Sequence, residues 1–129
     1  MSVEEDIALM RRWFKEAWNE GRVQTIYDLL DENIIGIGQD QPGVVIHGPA
    51  AFVALFNRLR GAFPDIEITV EDAFGAGENV TVSWSGVMTH TGDHLGIPAT
   101  KKNVRIAGIT IARIANGKIL SKAGTTGTS

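Results

Sequence analysis

The chain has 129 residues, 43% apolar and 21% charged, which is the composition of one globular domain with a real core and excludes a disordered segment. Fifteen acids against twelve lysines and arginines give a net charge of -3 with no run of either sign, so nucleic acid is not an expected partner. Cysteine is absent, which removes disulfides, thiolate nucleophiles and thiolate metal sites and fits a reducing compartment.

The first segment, MSVEEDIALMRRWFKEAW, begins acidic and turns amphipathic, without the basic, apolar and small-residue zones of a signal peptide. No stretch approaches the roughly 20 apolar residues of a membrane span, so a cytoplasmic protein without membrane contact is expected. Ser2 and Glu5 have the spacing of a capping box, and Ile7, Met10, Phe14, Ala17 and Trp18 recur at helical intervals. They predict a helix to about Glu20, stopped by Gly21, with Arg12, Lys15, Glu16 and Asn19 on its polar side. A second, shorter helix carries Val23, Ile26, Tyr27 and Leu30 as its apolar stripe. NIIGIG and VVIH read as short strands around a Gln-Asp-Gln-Pro-Gly turn. Gly48 and Pro49 open a third helix, which Phe52, Phe56, Leu59 and Phe63 continue as far as Pro64.

Strands follow. Ile66, Ile68 and Val70 alternate with Glu67, Thr69 and Glu71, the two-residue period of a half-buried strand. A Gly-Ala-Gly-Glu-Asn turn reverses the chain, and the next strand sets Val80, Val82, Trp84, Met88 and His90 on one face. After THTGDHLGIPATKKN comes VRIAGITIARIA, then the strong hairpin signal Asn116-Gly117, then the last strand, KILSKAG. Two helices, a small hairpin, a third helix and four long antiparallel strands predict a single α+β domain over residues 1–129, with helices against one face of a curved sheet.

No phosphate-cradling glycine pattern occurs. His90 and His94 have the interval of a helical metal pair, but Gly92, Gly96 and Pro98 argue against a helix there, so no metal is expected. His90 shares a strand face with Trp84 and Met88. From the residues alone it is either a proton-exchanging ring at the mouth of an apolar pocket or a rim histidine, in water or hydrogen-bonded to a loop carbonyl. Asp72 shares the inward alternation, but pairing Phe74 with Val80 sets it beside Val82, roughly 26 Å along the strand from His90. A bulge turning Asp72 to solvent is expected instead, because an unpaired buried carboxylate is costly. Asp40 and His47 flank the small hairpin as accessory polar candidates, and Phe14, Trp18, Tyr27, Phe56, Trp84 and Met88 are the expected pocket lining.

Thr89-His90-Thr91-Gly92, Leu95-Gly96-Ile97-Pro98, Asn116-Gly117-Lys118-Ile119 and the helix end Trp18-Asn19-Glu20-Gly21 carry a likeness that covers nearly the whole chain. The sequence resembles the SnoaL-like polyketide cyclases of the nuclear-transport-factor-2-like superfamily. The resemblance implies a cone-shaped α+β fold of cystatin-like topology, in which three helices of the N-terminal half close a strongly curved, mostly antiparallel sheet around an apolar cavity. It also implies homodimers paired through the sheet, and cofactor-independent acid-base chemistry on a hydrophobic small molecule, such as cyclisation, dehydration or isomerisation, with His90 in the catalytic place. Relatives tend to carry a tryptophan and then an acid on the last strand, whereas no residue from Leu120 to Ser129 is acidic here. A non-catalytic ligand-binding or dimerisation module of the same fold is the alternative.

Overall fold

The computed structural model describes residues 2–37 and 45–128, with side chains as far as residue 124. Helix α1, Val3–Arg12, starts at the predicted capping box: Ser2 Oγ accepts from the Glu5 N–H at 3.1 Å, and the Glu5 carboxylate accepts from the Ser2 N–H at 3.2 Å. The predicted α-helix to Glu20 is replaced beyond Arg12 by a wider π-helical turn, Trp13–Asn19, in which the Glu20 N–H reaches back to the Lys15 carbonyl. A regular α-helix would set Asn19 about 180° around from Met10, facing water. The wider turn rotates Asn19 toward the sheet, where its amide donates to the Ile68 carbonyl at 2.8 Å and accepts from the Ile68 N–H at 2.6 Å. Gly21, at φ +72, then ends the helix as expected.

Helix α2, Val23–Leu29, buries Thr25, Ile26 and Leu29, so its apolar stripe is turned from the predicted one. Tyr27, expected on the pocket wall, is 46% exposed on the outer side. Thr25 is tolerated inside because its hydroxyl donates to Glu16 at 2.9 Å. Leu30 opens strand β1, Leu30–Ile37, and β2, Val45–His47, pairs with it antiparallel. Helix α3, Gly48–Ala62, has its proline in the first turn. Strands β3, Glu67–Ala76, β4, Asn79–Thr89, β5, Asn103–Ala115, and β6, Lys118–Thr128, complete the chain.

Among the described residues the sheet has six strands in the order β2-β1-β6-β5-β4-β3. All neighbours are antiparallel except β1 and β6. The sheet stays open, with β2 and β3 as its edges, and does not close into a barrel. Asn116 at φ +53 and Gly117 at φ +73 form the predicted two-residue hairpin turn. The β3–β4 turn is tighter than expected: Ala76 pairs with Asn79, Phe74 faces Thr81 rather than Val80, and Asp72 faces Ser83 rather than Val82. The expected bulge is present between Val70 and Asp72 and leaves Asp72 exposed.

One face of the sheet is the core face. Val80, Val82 and Met88 of β4, Ala112 and Ile114 of β5 and Ile119 of β6 are buried there with Leu9, Met10, Trp13, Phe14, Phe52 and Phe56 of the helices. No described helix is long and apolar enough to cross a membrane.

Candidate functional site

His90 follows the last residue of β4 and continues its inward alternation at 4% exposure. Its N–H donates to the Lys102 carbonyl at 3.1 Å and its carbonyl accepts from the Lys101 N–H at 2.8 Å, so the backbone is held on both sides. The ring packs 5.3 Å from the centre of Phe63. Nδ1 faces Thr100, whose N–H lies at 3.3 Å and whose hydroxyl lies at 3.0 Å. A backbone N–H only donates, so Nδ1 is the bare acceptor and the proton of a neutral ring sits on Nε2. Nε2 is buried and has no hydrogen-bond partner. The ring is thus fixed at one nitrogen and presents an unused N–H at the other.

The loop after His90 is seated on the end of α3. The Thr91 and Gly92 N–H groups both donate to the Ala62 carbonyl at 3.1 Å, satisfying an acceptor that the helix end leaves without an intrahelical partner. A Cβ on Gly92 would overlap the Gly61 carbonyl oxygen, which gives the glycine of His-Thr-Gly a steric reason. Asp65 pins the strand end by accepting from the Thr89 N–H at 2.7 Å. That bond, and next the Thr89 hydroxyl, hold the Asp65 carboxyl below its ordinary range.

The other candidates fall in different places. His94 is exposed, lies against Gly61 and sits 3.9 Å from Asp93. No group of three or more potential metal-ligating side chains occurs among the described residues. His47 is exposed at the start of α3, opposite Ile35 of β1. Asp40 lies outside the described residues. Trp18 and Phe56 meet at 5.1 Å and join Phe52 and Trp13 in one aromatic cluster. Phe14 meets Trp84 at 6.1 Å, and the Trp84 indole N–H donates to Thr110 Oγ1 at 3.0 Å. Met88 is buried on the His90 strand.

Sequence reasoning missed Lys122 of β6. It is 2% exposed, and its ammonium nitrogen stands 3.8 Å from the Trp13 ring centre and 3.9 Å from that of Phe52. Burial pulls its pKa well below that of an ordinary lysine.

An open, mostly antiparallel six-stranded sheet with three helical segments on one face defines the α+β class of nuclear-transport-factor-2-like folds. Solved structures agree: a candidate SnoaL-like polyketide cyclase from Jannaschia sp. CCS1 superposes with a TM-score of 0.87 at 21% identity, covering 96% of this chain and 86% of that one. AclR, a candidate hydroxylase from Streptomyces galilaeus, gives 0.84 at 21% identity over 98% and 81%. IdmH, a candidate polyketide cyclase from Streptomyces antibioticus, gives 0.81 at 19% identity over 95% and 91%. No curated protein matches. The family model of SnoaL-like polyketide cyclases matches residues 8–125, and the chain belongs to that family.

Proposed function

We propose that the protein is a cofactor-independent cyclase or isomerase acting on a hydrophobic small molecule, with His90 as the proton donor at a substrate oxygen. The observation that carries this reading is the buried, unpartnered Nε2 of a ring whose Nδ1 is already engaged by Thr100. A donor so placed strengthens its bond as negative charge develops on a carbonyl oxygen, and one such group contributes on the order of 100- to 10,000-fold. Phe63 beside the ring, and Met88 on the same strand face, supply apolar contact that orients a substrate. The absence of an acid from Leu120 to Ser129 favours the second reading, a module that binds such a molecule without transforming it. Native mass spectrometry of protein taken directly from cells tests both. A copurified apolar carbonyl compound is expected, bound less tightly by His90→Phe. A chain of bare mass that also fails to bind hydrophobic ketones contradicts both, and a ligand returned unchanged on prolonged incubation supports the module.

The partner on the outer face is a second copy of the chain. Phe74, Thr81, Ile111, Ala123, Ile37 and Val45 lie side by side in one row across all six strands. Phe74 is 58% exposed, and Ile111, Ile37 and Val45 between 45% and 49%. A row that is apolar at every position but Thr81 supports homodimerisation through the sheet. Ile111→Lys is expected to sediment as a monomer; an unchanged dimer removes this face from the interface.

A further inference from the structure

His90 grips the far end of its own loop through backbone and ring together: its N–H donates to the Lys102 carbonyl, its carbonyl accepts from the Lys101 N–H, and Nδ1 accepts from the Thr100 N–H. Between these ends the loop leaves α3 at Gly92 and turns at Gly96, whose N–H donates to the Asp93 carbonyl at 3.0 Å. Leu95 and Ile97 at its tip are 37% and 53% exposed, so little apolar burial holds the tip down. Lys101 has φ +60, a left-handed conformation that is unfavourable for a residue with a Cβ, and the closing bonds hold it there. Closure therefore leans on the Thr100 contact, which depends on one lone pair. Nδ1 accepts only while it carries no proton, whereas an imidazolium has an N–H at both nitrogens. The Thr100 hydroxyl, 3.0 Å from Nδ1, can turn from donor to acceptor. The Thr100 backbone N–H cannot, and would then face another N–H.

Nothing described around the ring compensates a charge on it. Phe63 faces it from the end of α3, and Met88 precedes it on the same strand face. Asp65 is engaged by the Thr89 N–H, and Asp93, His94, Lys101 and Lys102 are exposed in the loop. Among the described residues no carboxylate bonds to the ring, since Nδ1 meets Thr100 and Nε2 has no partner. We propose that His90 is a pH-sensitive latch: the neutral ring holds the loop of residues 91–102 shut through Thr100, and a second proton on the ring releases it. The closed loop excludes that proton, so closure weakens as pH falls, over the range between about pH 8 and 5 in which histidines change charge. The latch concerns Nδ1 and the loop, and stands whether or not Nε2 serves a substrate.

Amide exchange of the full-length protein, followed by NMR from about pH 8 to 5 and expressed relative to an unstructured peptide at each pH, tests this. Protection at Thr100 and Lys101 is expected to fall on the order of tenfold, the worth of one lost hydrogen bond, in step with protonation of the His90 ring read from its carbon-bound protons. Protection at Val82 and Ala112 in the core strands should stay constant. His90→Asn places a carboxamide oxygen, an acceptor at every pH, near the position of Nδ1 and should abolish the response. His94→Gln removes the other titrating ring of the loop and should leave it intact. Steady protection at Thr100 while the His90 ring charges, a response that follows His94, or a ring that stays neutral until the whole protein unfolds in acid overturns the proposal. Should the asparagine variant fail to fold, the match or mismatch of the two wild-type curves decides alone.

Discussion

Lys122→Met is expected to stabilise the fold by about 1–3 kcal/mol at neutral pH, an unusual result for a substitution at a fully buried position. Desolvating an ammonium costs several kcal/mol even after the surroundings relax. A desolvated cation over aromatic rings recovers about 2 kcal/mol, so Trp13 and Phe52 do not offset that cost. Methionine keeps the unbranched stem and its contacts while removing the charge. The pH dependence has a definite sign. The folded-state pKa is lowered by burial, whereas the unfolded chain titrates near the ordinary lysine value of about 10.4. Between those two values the unfolded chain holds more protons than the folded one, so stability rises as pH rises through that window. Below the folded pKa both states are protonated and the full penalty is present. Denaturant unfolding at neutral pH and at about pH 10 should therefore show the wild type gaining on Lys122→Met as pH increases. A methionine variant that is less stable, with the same pH slope as wild type, contradicts this account.

Gly92→Ala is expected to cost about 2–3 kcal/mol. The added methyl would overlap the Gly61 carbonyl oxygen, and both partners in that clash are backbone. Relief requires lifting the loop off α3, which breaks the hydrogen bonds from the Thr91 and Gly92 N–H groups to Ala62. Gly61→Ala is the control. Its Cβ would meet the ring of His94, an exposed side chain free to swing away, and alanine favours the helix, so a neutral or mildly stabilising change is expected. Urea midpoints check both variants. Equal losses would mean that the loop is not seated by its backbone.

The elements were legible where local chemistry and tertiary demand agree. The Ser2–Glu5 capping box, the proline that opens α3 and the Asn116-Gly117 turn each act within a few residues, and each appears as the pattern predicts. The bulge before Asp72 was also legible, because strict alternation there would have buried a carboxylate. Lys122 was not. On β6, alternation from the buried Ile119 would turn Ser121 inward and Lys122 outward. The register shift against β5 between Arg113 and Ile114 changes the parity, so Ile119 and Lys122 both face the core. A bulge of this kind depends on pairing with a neighbouring strand and leaves no mark in the residues themselves. Asn19 was hidden for a similar reason, since the π-helical turn that brings it to Ile68 has no signature in WFKEAWN. His90 was placed inward by alternation, and its partner Thr100 was not foreseen because a long loop separates them.

The central claim is that His90 presents an N–H at Nε2 into the protein interior while Nδ1 is held bare by Thr100. Nitrogen NMR of histidine-labelled protein near neutral pH reads both ring nitrogens directly. A protonated Nε2 whose hydrogen exchanges with water far more slowly than those of the exposed His47 and His94, beside an unprotonated Nδ1, is the predicted spectrum. A proton on Nδ1, or exchange at Nε2 as fast as in those exposed rings, contradicts the site.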